Sequence, residues 1–276
     1  MNITHTSRLV STKAVGPAIY QQRFHQPTVA RSAHAGQFVH VLPDGHNLFR
    51  RALSVYATDP DKGTFDVLHQ VLGEGTRSLS RLEKGAEVDT LGPLGNRFPA
   101  PPKGRRAILV GGGLGMAPLR LWAYELAGAM VKRARGNEID RKRLPLIMLG
   151  ARTKDLTTKP YKLGKFGIRV QWATDDGSRG YHGTIVMRLR EDVEKELLDP
   201  ERSVVYGCGP EPMMAALAEE CESFSIPCYV SLERSMPCGF GVCMGCVVRR
   251  RDGSAYETFS RVCRDGPVFN AADIIF

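Results

Sequence analysis

The sequence has no run approaching the eighteen or so apolar residues that a membrane span requires, so no membrane span is expected. Its first residues, MNITHTSRLV, lack the charged-then-apolar order of a signal peptide, and the expected location is the cytoplasm. No Gly-Lys-Ser/Thr follows its glycine-rich loop, which removes the P-loop reading and, with it, phosphoryl transfer. The formal charge of +9 comes without a basic stripe interleaved with aromatics. The cationic residues are scattered, as in Lys132 to Arg135, Arg141 to Arg143 and Arg249 to Arg251. Nucleic-acid binding is therefore not expected, and the positive balance fits solvated loops around anionic cofactors. Internal repeats and low-complexity segments are also missing. Seven cysteines, an odd number without an export signal, argue against a disulfide framework, because the cytosol keeps thiols reduced.

What is present is an ordinary soluble composition, 42% hydrophobic and 24% charged, in a chain of 276 residues, longer than one compact domain usually is. Residues 1–102 read as short β-rich segments, FVHVL, ALSVYA, TFDVLHQVL and EVDTLG, with the turns Pro43-Asp44-Gly45 and Asp61-Lys62-Gly63 between them. An antiparallel β-barrel is expected there. FPAPPKG, Phe98 to Gly104, reads as a linker. Residues 103–230 then alternate apolar strands with helices, expected near Ala117 to Ala129, Val186 to Leu198 and Glu211 to Phe224. That alternation predicts a parallel sheet covered by helices. Residues 128–143 read as a polar, basic excursion. Residues 231–276 are rich in glycine and cysteine and too few to fold well without a staple.

The stretch SMPCGFGVCMGCVVRRRDG places three of the seven cysteines within nine residues. The full spacing is Cys238-x4-Cys243-x2-Cys246-x16-Cys263. Three thiolates on a loop carrying Gly239, Gly241 and Gly245, with a fourth returning from a hairpin, match the plant-type arrangement for a [2Fe-2S] cluster. Zinc is the rival, since four thiolates also satisfy a tetrahedral ion, although zinc sites tend to pair two C-x2-C knuckles and only one is present here. Cys221, on a helix, and Cys228, opening a strand, read as small buried hydrophobes.

RAILVGGGLGMAPLRLW sets Gly111, Gly112, Gly113 and Gly115 between a strand and a helix, where a dinucleotide diphosphate could approach the backbone and the helix N-terminus. A tight ligand-free turn would read similarly. TDDGSRG puts Asp175 and Asp176 at a strand end, where a carboxylate can take ribose hydroxyls and disfavour a 2′-phosphate, pointing to NAD; a plain turn is the alternative.

LFRRALSVY, VLHQVLGEGTRSLSRL and LGPLGNRF resemble the flavin-binding barrel of the ferredoxin reductase family. Its Arg-Pro-x-Ser motif stands here as Arg51-Ala52-Leu53-Ser54. The resemblance implies that Arg51 pairs with an FAD phosphate and that Ser54 reaches the flavin ring. It also implies that Leu68, His69 and Gln70 line the flavin, and that Gly75 and Thr76 open a helix onto the diphosphate. Ala52 departs from the family's proline, and Gln70 stands where arginine is common, which puts one phosphate or ribityl contact in doubt. GGGLGMAP and YGCGPEPMM resemble the nicotinamide half, with Cys208, Gly209 and Pro210 where nicotinamide meets flavin; Cys208 is read as packing and positioning, not as a nucleophile.

SLERSMPCGFGVCMGCVV and RVCRDGPVFNAADIIF narrow the resemblance to the electron-transfer subunits of B-type dihydroorotate dehydrogenases. It implies FAD, one [2Fe-2S] cluster and NAD as acceptor, with electrons arriving from the FMN of a separate dihydroorotate-oxidising subunit. It further implies a heterotetramer with two subunits of each kind and a place in pyrimidine biosynthesis. Met236, Phe240, Val242 and Met244 are expected either to face that partner or to pack the small domain. The alternatives keep the cofactors and change the partner, as in a sulfide dehydrogenase or an NADH-dependent ferredoxin:NADP oxidoreductase, drop the partner for an orphan diaphorase, or drop redox turnover for a zinc-stapled nucleotide-binding regulator. Some relatives of the oxidoreductase kind replace the first cluster cysteine by aspartate, so Cys238 favours the dihydroorotate system.

Overall fold

The structure is a computed structural model that describes residues 3–43, 49–134, 140–157, 163–251 and 258–276. Its N-terminal part is a closed antiparallel barrel. The strands are β1 (Thr4–Gly16), β2 (Ile19–His25), β3 (Phe38–Leu42), β4 (Arg51–Asp59), β5 (Thr64–Gln70) and β6 (Glu87–Leu94), in the spatial order β1-β2-β5-β4-β3-β6. Closure leaves no unpaired edge. Leu9, Phe24, Val39, Val41, Val55, Phe65 and Val67 fill the interior. The expected turn at Asp44-Gly45 lies outside the described residues. Helix α1 (Pro27–Ser32) follows β2, and helix α2 (Glu74–Ser80) follows β5.

The second layer system is a sheet whose parallel core starts with β7 (Arg106–Gly112). It continues outward through β8 (Leu146–Ala151), β9 (Val170–Thr174) and β10 (Tyr181–His182), then returns to β11 (Ser203–Cys208) and β12 (Cys228–Ser231) on the other side of β7. The strand order therefore reverses between β7 and β11, the place where ligands settle outside the carboxyl ends of a parallel sheet. β7 and β11 are buried almost along their whole length, as strands covered on both faces must be.

Helix α3 (Met116–Ala134) explains how barrel and sheet are joined. Ten of its residues are buried, on every side of the helix, because it lies between the two bodies and is not an amphipathic surface helix. Phe98, from the Pro-rich connection, stacks on Trp122 of α3 at 6.0 Å and meets the Tyr206 ring edge-on at 5.6 Å. The Tyr206 hydroxyl donates to the Pro99 carbonyl at 2.8 Å. α3 runs to Ala134, beyond the expected Ala129, so the first half of the expected excursion at 128–143 is helical; residues 135–139 lie outside the described ones. Lys132 and Arg133 in the last turn suit the negative end of the helix dipole.

Helix α4 (Ile185–Glu194) stops short of the expected Leu198, and Glu196 just beyond it takes a left-handed φ of 56°. Helix α5 (Glu211–Ser223) lies where expected. Between β8 and β9 the described chain forms short single turns at Lys154–Leu156 and Gly164–Phe166.

The tail adds β13 (Val247–Arg250), β14 (Phe259–Arg261), β15 (Val268–Asn270) and β16 (Ile274–Ile275). β14, β13 and β16 form a small sheet, while β15 pairs antiparallel with β12 and so extends the central sheet. Asn96, just past β6, pins this tail to the barrel: its side chain both accepts from the Val268 N–H at 2.9 Å and donates to the Val268 carbonyl at 2.8 Å.

His69 on β5 is buried, with Nε2 3.0 Å from Gln22 Oε1, and burial lowers its pKa from 6.5 to about 4. The unfolded chain takes up this proton below about pH 6.5 and the fold resists it until about pH 4, so the contribution of His69 to stability is lost as pH falls through that window. The melting temperature should fall more between pH 7 and pH 4.5 in the wild type than in His69→Gln; parallel pH profiles would refute the assignment.

Candidate functional site: a flavin cleft joined to a thiolate loop

A cleft of about 400 Å³ opens between the barrel, the glycine loop after β7 and the segment after β12. Ala52, Leu53 and Ser54 of β4, Leu68, His69 and Gln70 of β5, and Thr76 of α2 all line it. The structure thus brings together seven of the nine residues assigned to flavin. The other two stand beside each other at the entry to α2: a Cβ added to Gly75 would fall 2.2 Å from Nη2 of Arg51. Only glycine lets that guanidinium lie against the first turn of the helix. Nη1 of Arg51 donates to the Phe49 carbonyl at 2.7 Å, which fixes one side of the fork. The Thr76 hydroxyl shapes the same turn, accepting from the Leu72 N–H at 3.0 Å and donating to the Gly73 carbonyl at 3.1 Å.

These features fit a flavin dinucleotide. A planar cationic fork beside helix N–H groups matches a diphosphate. If Nε2 of His69 donates to Gln22, Nδ1 is left as a buried acceptor without a partner on a residue of the cleft wall. The sequence reading did not assign Phe38, Leu72, Leu114, Ala117, Pro267 or the run Ser231 to Met236 to the cleft, whose lining they complete; Met236 was expected at the partner or within the small domain. The run is separated from the first cluster cysteine by Pro237 alone. Glu233 in that run is reached by solvent through the mouth yet surrounded by protein, and this enclosure raises its carboxyl above the usual range.

The nicotinamide-side residues assemble at the switch point. A Cβ on Gly115 would fall 1.9 Å from the carbonyl oxygen of Cys208, and one on Gly209 would fall 3.1 Å from the Gly112 N. Gly115 and Gly209 are therefore needed for one loop to close on the other, while a Cβ on Gly112 would fall 2.5 Å from Sδ of Met213. Gly113, with φ of 55° and open space where a Cβ would stand, is the glycine that leaves room for a ligand. Gly111 is closed off by Leu149, and Pro210 forms the N-cap of α5. Cys208 is fully enclosed, and burial raises its thiol well above the usual range, which suits packing. Asp176 is committed to its own turn: Oδ1 accepts from the Ser178 N–H at 3.0 Å and hydroxyl at 2.6 Å. Asp175 beside it is exposed. Arg179, three residues on from Asp176 and not singled out by the sequence reading, lies over the Trp172 ring at 3.9 Å.

The four clustered cysteines fall into two pairs. The Cys238 and Cys243 sulfurs are 3.3 Å apart, and so are those of Cys246 and Cys263. The second pair follows from the hairpin. Cys246 immediately precedes β13, and Val262 and Cys263 follow β14; the Val262 N–H donates to the Cys246 carbonyl at 2.9 Å, setting the two cysteines opposite each other. The first pair follows from the loop, where Gly239 and Gly241 take φ of 80° and 87°, conformations open chiefly to glycine. Burial opposes ionisation of Cys238, but N–H groups of Cys243, Phe240 and Val242 outweigh it and bring the thiol down to about 6. These inward N–H groups are what a thiolate-bound cluster needs. At Cys263 the balance is reversed: burial and then Cys246 outweigh the Gly241 N–H and push the thiol up to about 12. Cys221 and Cys228 are buried apolar positions on α5 and β12.

The pairing decides the donor chemistry. A single tetrahedral zinc holds its four sulfurs alike, all about 3.8 Å apart. Two irons bridged by sulfide instead take two thiolates each. Two pairs of thiols, one on the loop and one at the hairpin, offer the two-plus-two donor set of a dinuclear cluster.

A flavin-reductase barrel, a nucleotide-type sheet and a paired-thiolate loop define a flavin and iron–sulfur electron-transfer protein. Residues 233–275 match the family described as the iron–sulfur cluster binding domain of dihydroorotate dehydrogenase B. The chain is 37% identical over 271 residues to the dihydroorotate dehydrogenase B (NAD(+)) electron transfer subunit of Bacillus caldolyticus, covering 97% of this chain and 96% of that one. It is 32% identical over 271 residues to the corresponding subunit of Caldanaerobacter subterraneus, covering 98% of each. The chain belongs to the family of dihydroorotate dehydrogenase B electron transfer subunits. Among solved structures it resembles an NADH-dependent reduced ferredoxin-NADP oxidoreductase with a TM-score of 0.79 at 28% identity, covering 98% of this chain and 89% of that one. A ferredoxin NADP+ reductase of Neisseria gonorrhoeae shares the fold, with a TM-score of 0.65 at 18% identity over 86% of this chain and 96% of that one.

Hydrogen bonds to charged groups contribute about 1.5–3 kcal/mol each. Displacing the Arg51 fork with Gly75→Ala should therefore weaken FAD binding by roughly ten- to a hundredfold, measured by flavin retention on dialysis, with iron content unchanged. Metal analysis of anaerobically prepared protein should return about two irons and two labile sulfides per chain. Stoichiometric zinc without iron would overturn the cluster.

Proposed function

We propose that this chain accepts electrons from a separate FMN-containing subunit that oxidises dihydroorotate, and delivers them to NAD within pyrimidine biosynthesis. One observation carries the reading: a single run, Ser231 to Met236, walls the flavin cleft and then, after Pro237, supplies the first cluster thiol at Cys238. Cleft and cluster loop are thus neighbours by chain connectivity. When bound, the cluster relays single electrons and FAD takes them singly and gives them in pairs, which is the conversion a two-electron acceptor needs. The chain's own residues do the rest. Arg51 with Gly75 and Thr76 would anchor the diphosphate, Ser54 and His69 would orient the ring, and Gly113 would admit NAD above Cys208. Since Asp176 is used by its turn, Asp175 is the carboxylate we assign to the ribose. The working division is a flavin barrel over 1–102, a nucleotide domain over 103–230 and a cluster domain over 231–276.

For the partner, the four apolar residues around the ligands divide. Met236 lines the cleft, whereas Phe240, Val242 and Met244 are exposed at 45%, 77% and 59%. Apolar side chains exposed beside the cluster loop suit a docking face for the catalytic subunit, in a complex with two of each. Among the described residues no helix is long and apolar enough to cross a membrane, and we place the complex in the cytoplasm.

The likeness to the NADH-dependent reduced ferredoxin-NADP oxidoreductase supports a second reading, with the same cofactors serving a different partner. Co-expression with a candidate catalytic subunit separates the two: the loaded complex should reduce NAD in a dihydroorotate-dependent manner, and its failure to do so would favour the second. Met244→Lys should cut co-purification with the catalytic subunit by roughly tenfold or more at unchanged flavin and iron content, since burying an unpaired charge costs several kcal/mol. Unchanged co-purification would move the interface elsewhere.

A further inference from the structure

We propose that His40 is the positioning residue that docks the cluster loop onto the flavin barrel and holds Cys238 at a fixed place beside the cleft. The inference rests on the cluster and flavin sites described above and concerns a residue assigned to neither.

His40 lies on β3 directly opposite Ala52 of β4, and residues so paired share one face of the sheet. Phe38, two positions earlier on the same strand, shares that face as well. Phe38 and Ala52 both line the flavin cleft. His40 does not, because the cluster loop covers it: it is wholly buried, and a Cβ on Gly239 would fall 2.2 Å from its Nδ1. The loop backbone therefore rests directly on the imidazole. Neither ring nitrogen has a well-formed hydrogen bond, which is costly for a buried polar ring. The nearest partners are the backbones of Met236 and Cys238, and both contacts favour an N–H on the ring, so they are carbonyl acceptors. One neighbour of His40 is thus a cleft-wall residue and the next is a cluster ligand.

That placement gives the side chain a physical task. The loop from Cys238 to Cys246 has two left-handed glycines, and the first of them, Gly239, packs against the His40 imidazole of the barrel. A ring donor against the Met236 and Cys238 carbonyls, on either side of Pro237, fixes the path of the loop and with it the place of Cys238. Outer-shell contacts of this kind orient metal ligands and tune their metal, and their loss typically costs about 10–100-fold in metal affinity or activity. Ala52, where the resembled family carries proline, leaves the strand opposite His40 with a small side chain on that face.

The test uses the full chain co-expressed with its catalytic subunit, with wild type, His40→Leu and His40→Gln compared after iron and FAD analysis. Electron paramagnetic resonance of the reduced cluster, its midpoint potential, and the rate at which electrons move between cluster and flavin are the readouts. His40→Leu should retain FAD, shift the g-values and the cluster midpoint, and slow internal transfer by roughly tenfold or more. His40→Gln, which keeps a donor, should restore most of each. A cluster lost in His40→Leu but kept in His40→Gln supports the same conclusion. A leucine variant identical to wild type in spectrum, potential and rate overturns the proposal, as do equal changes or equal cluster loss in both variants. A wild-type protein with no cluster would overturn the cluster reading together with this one, whereas a loaded wild type with an unaltered leucine variant would overturn this one alone.

Discussion

The backbone between Ser231 and Cys246 has to do two things at once, walling a flavin cleft and wrapping a cluster, and the rest of the molecule is built to keep it still. Its start is tied into the central sheet through β12, with the Leu232 N–H donating to the Pro267 carbonyl at 2.9 Å. The far side of that contact is held by Asn96, whose amide locks Val268 to the end of the barrel. The middle of the loop rests on His40, and the Gly241 carbonyl accepts from Nη1 of Arg261 at 2.9 Å. Barrel, sheet and hairpin each supply one fixed point. Small movements change the gap across which electrons must pass, so a loop of this length without such ties would make a poor conduit.

The thiols show what folding leaves to the metal. Cys238 is prepared for ionisation by three backbone donors, while Cys263 is pushed the other way by burial and by its neighbour Cys246. The Cys246 thiol donates to the Cys263 sulfur at 3.3 Å, a contact between protonated groups. Thiols must lose their protons to ligate a metal, so metal loading and folding of the tail are coupled. The small tail sheet, three short strands with few buried side chains, needs that coupling.

Much of this was legible in the sequence. The ligand spacing marked the four cysteines whose sulfurs the structure sets in two pairs, and the alternation after Phe98 pointed to the parallel sheet, because both are local patterns. β1 and β2 went unread for a local reason as well: β1 is mostly exposed along its length, with only Ser7 and Leu9 buried, so little apolar alternation marks it. The end of α3 was misplaced because its basic last turn looks like a loop until the dipole at a helix end is considered. The cleft was legible only in half. Arg51, Ser54 and Gly75 carry a motif, but Phe38, Glu233 and His40 act through contacts between segments remote in the chain, and no spacing rule reports those.

The glycine loop after β7 shows why such motifs are weak by themselves. A ligand-binding reading and a packing reading both demand glycine, and here each claims different residues. Gly115 is required because the loop bearing Cys208 and Gly209 presses against it, and at Gly112 Met213 and Pro210 fill the space a side chain would take, whether or not a nucleotide is bound. Gly113 faces open space in a left-handed conformation, so only this glycine is left without a protein neighbour to account for it. The same sorting applies to Asp175 and Asp176, one exposed and one consumed by a turn. A motif read from sequence therefore marks a place where backbone comes close to something, and only the surrounding atoms say whether that something is protein or ligand. At the β7–β11 switch point the glycines divide: Gly115 seats the β11 loop that carries Cys208, Gly112 makes room for Met213, and Gly113 faces open space.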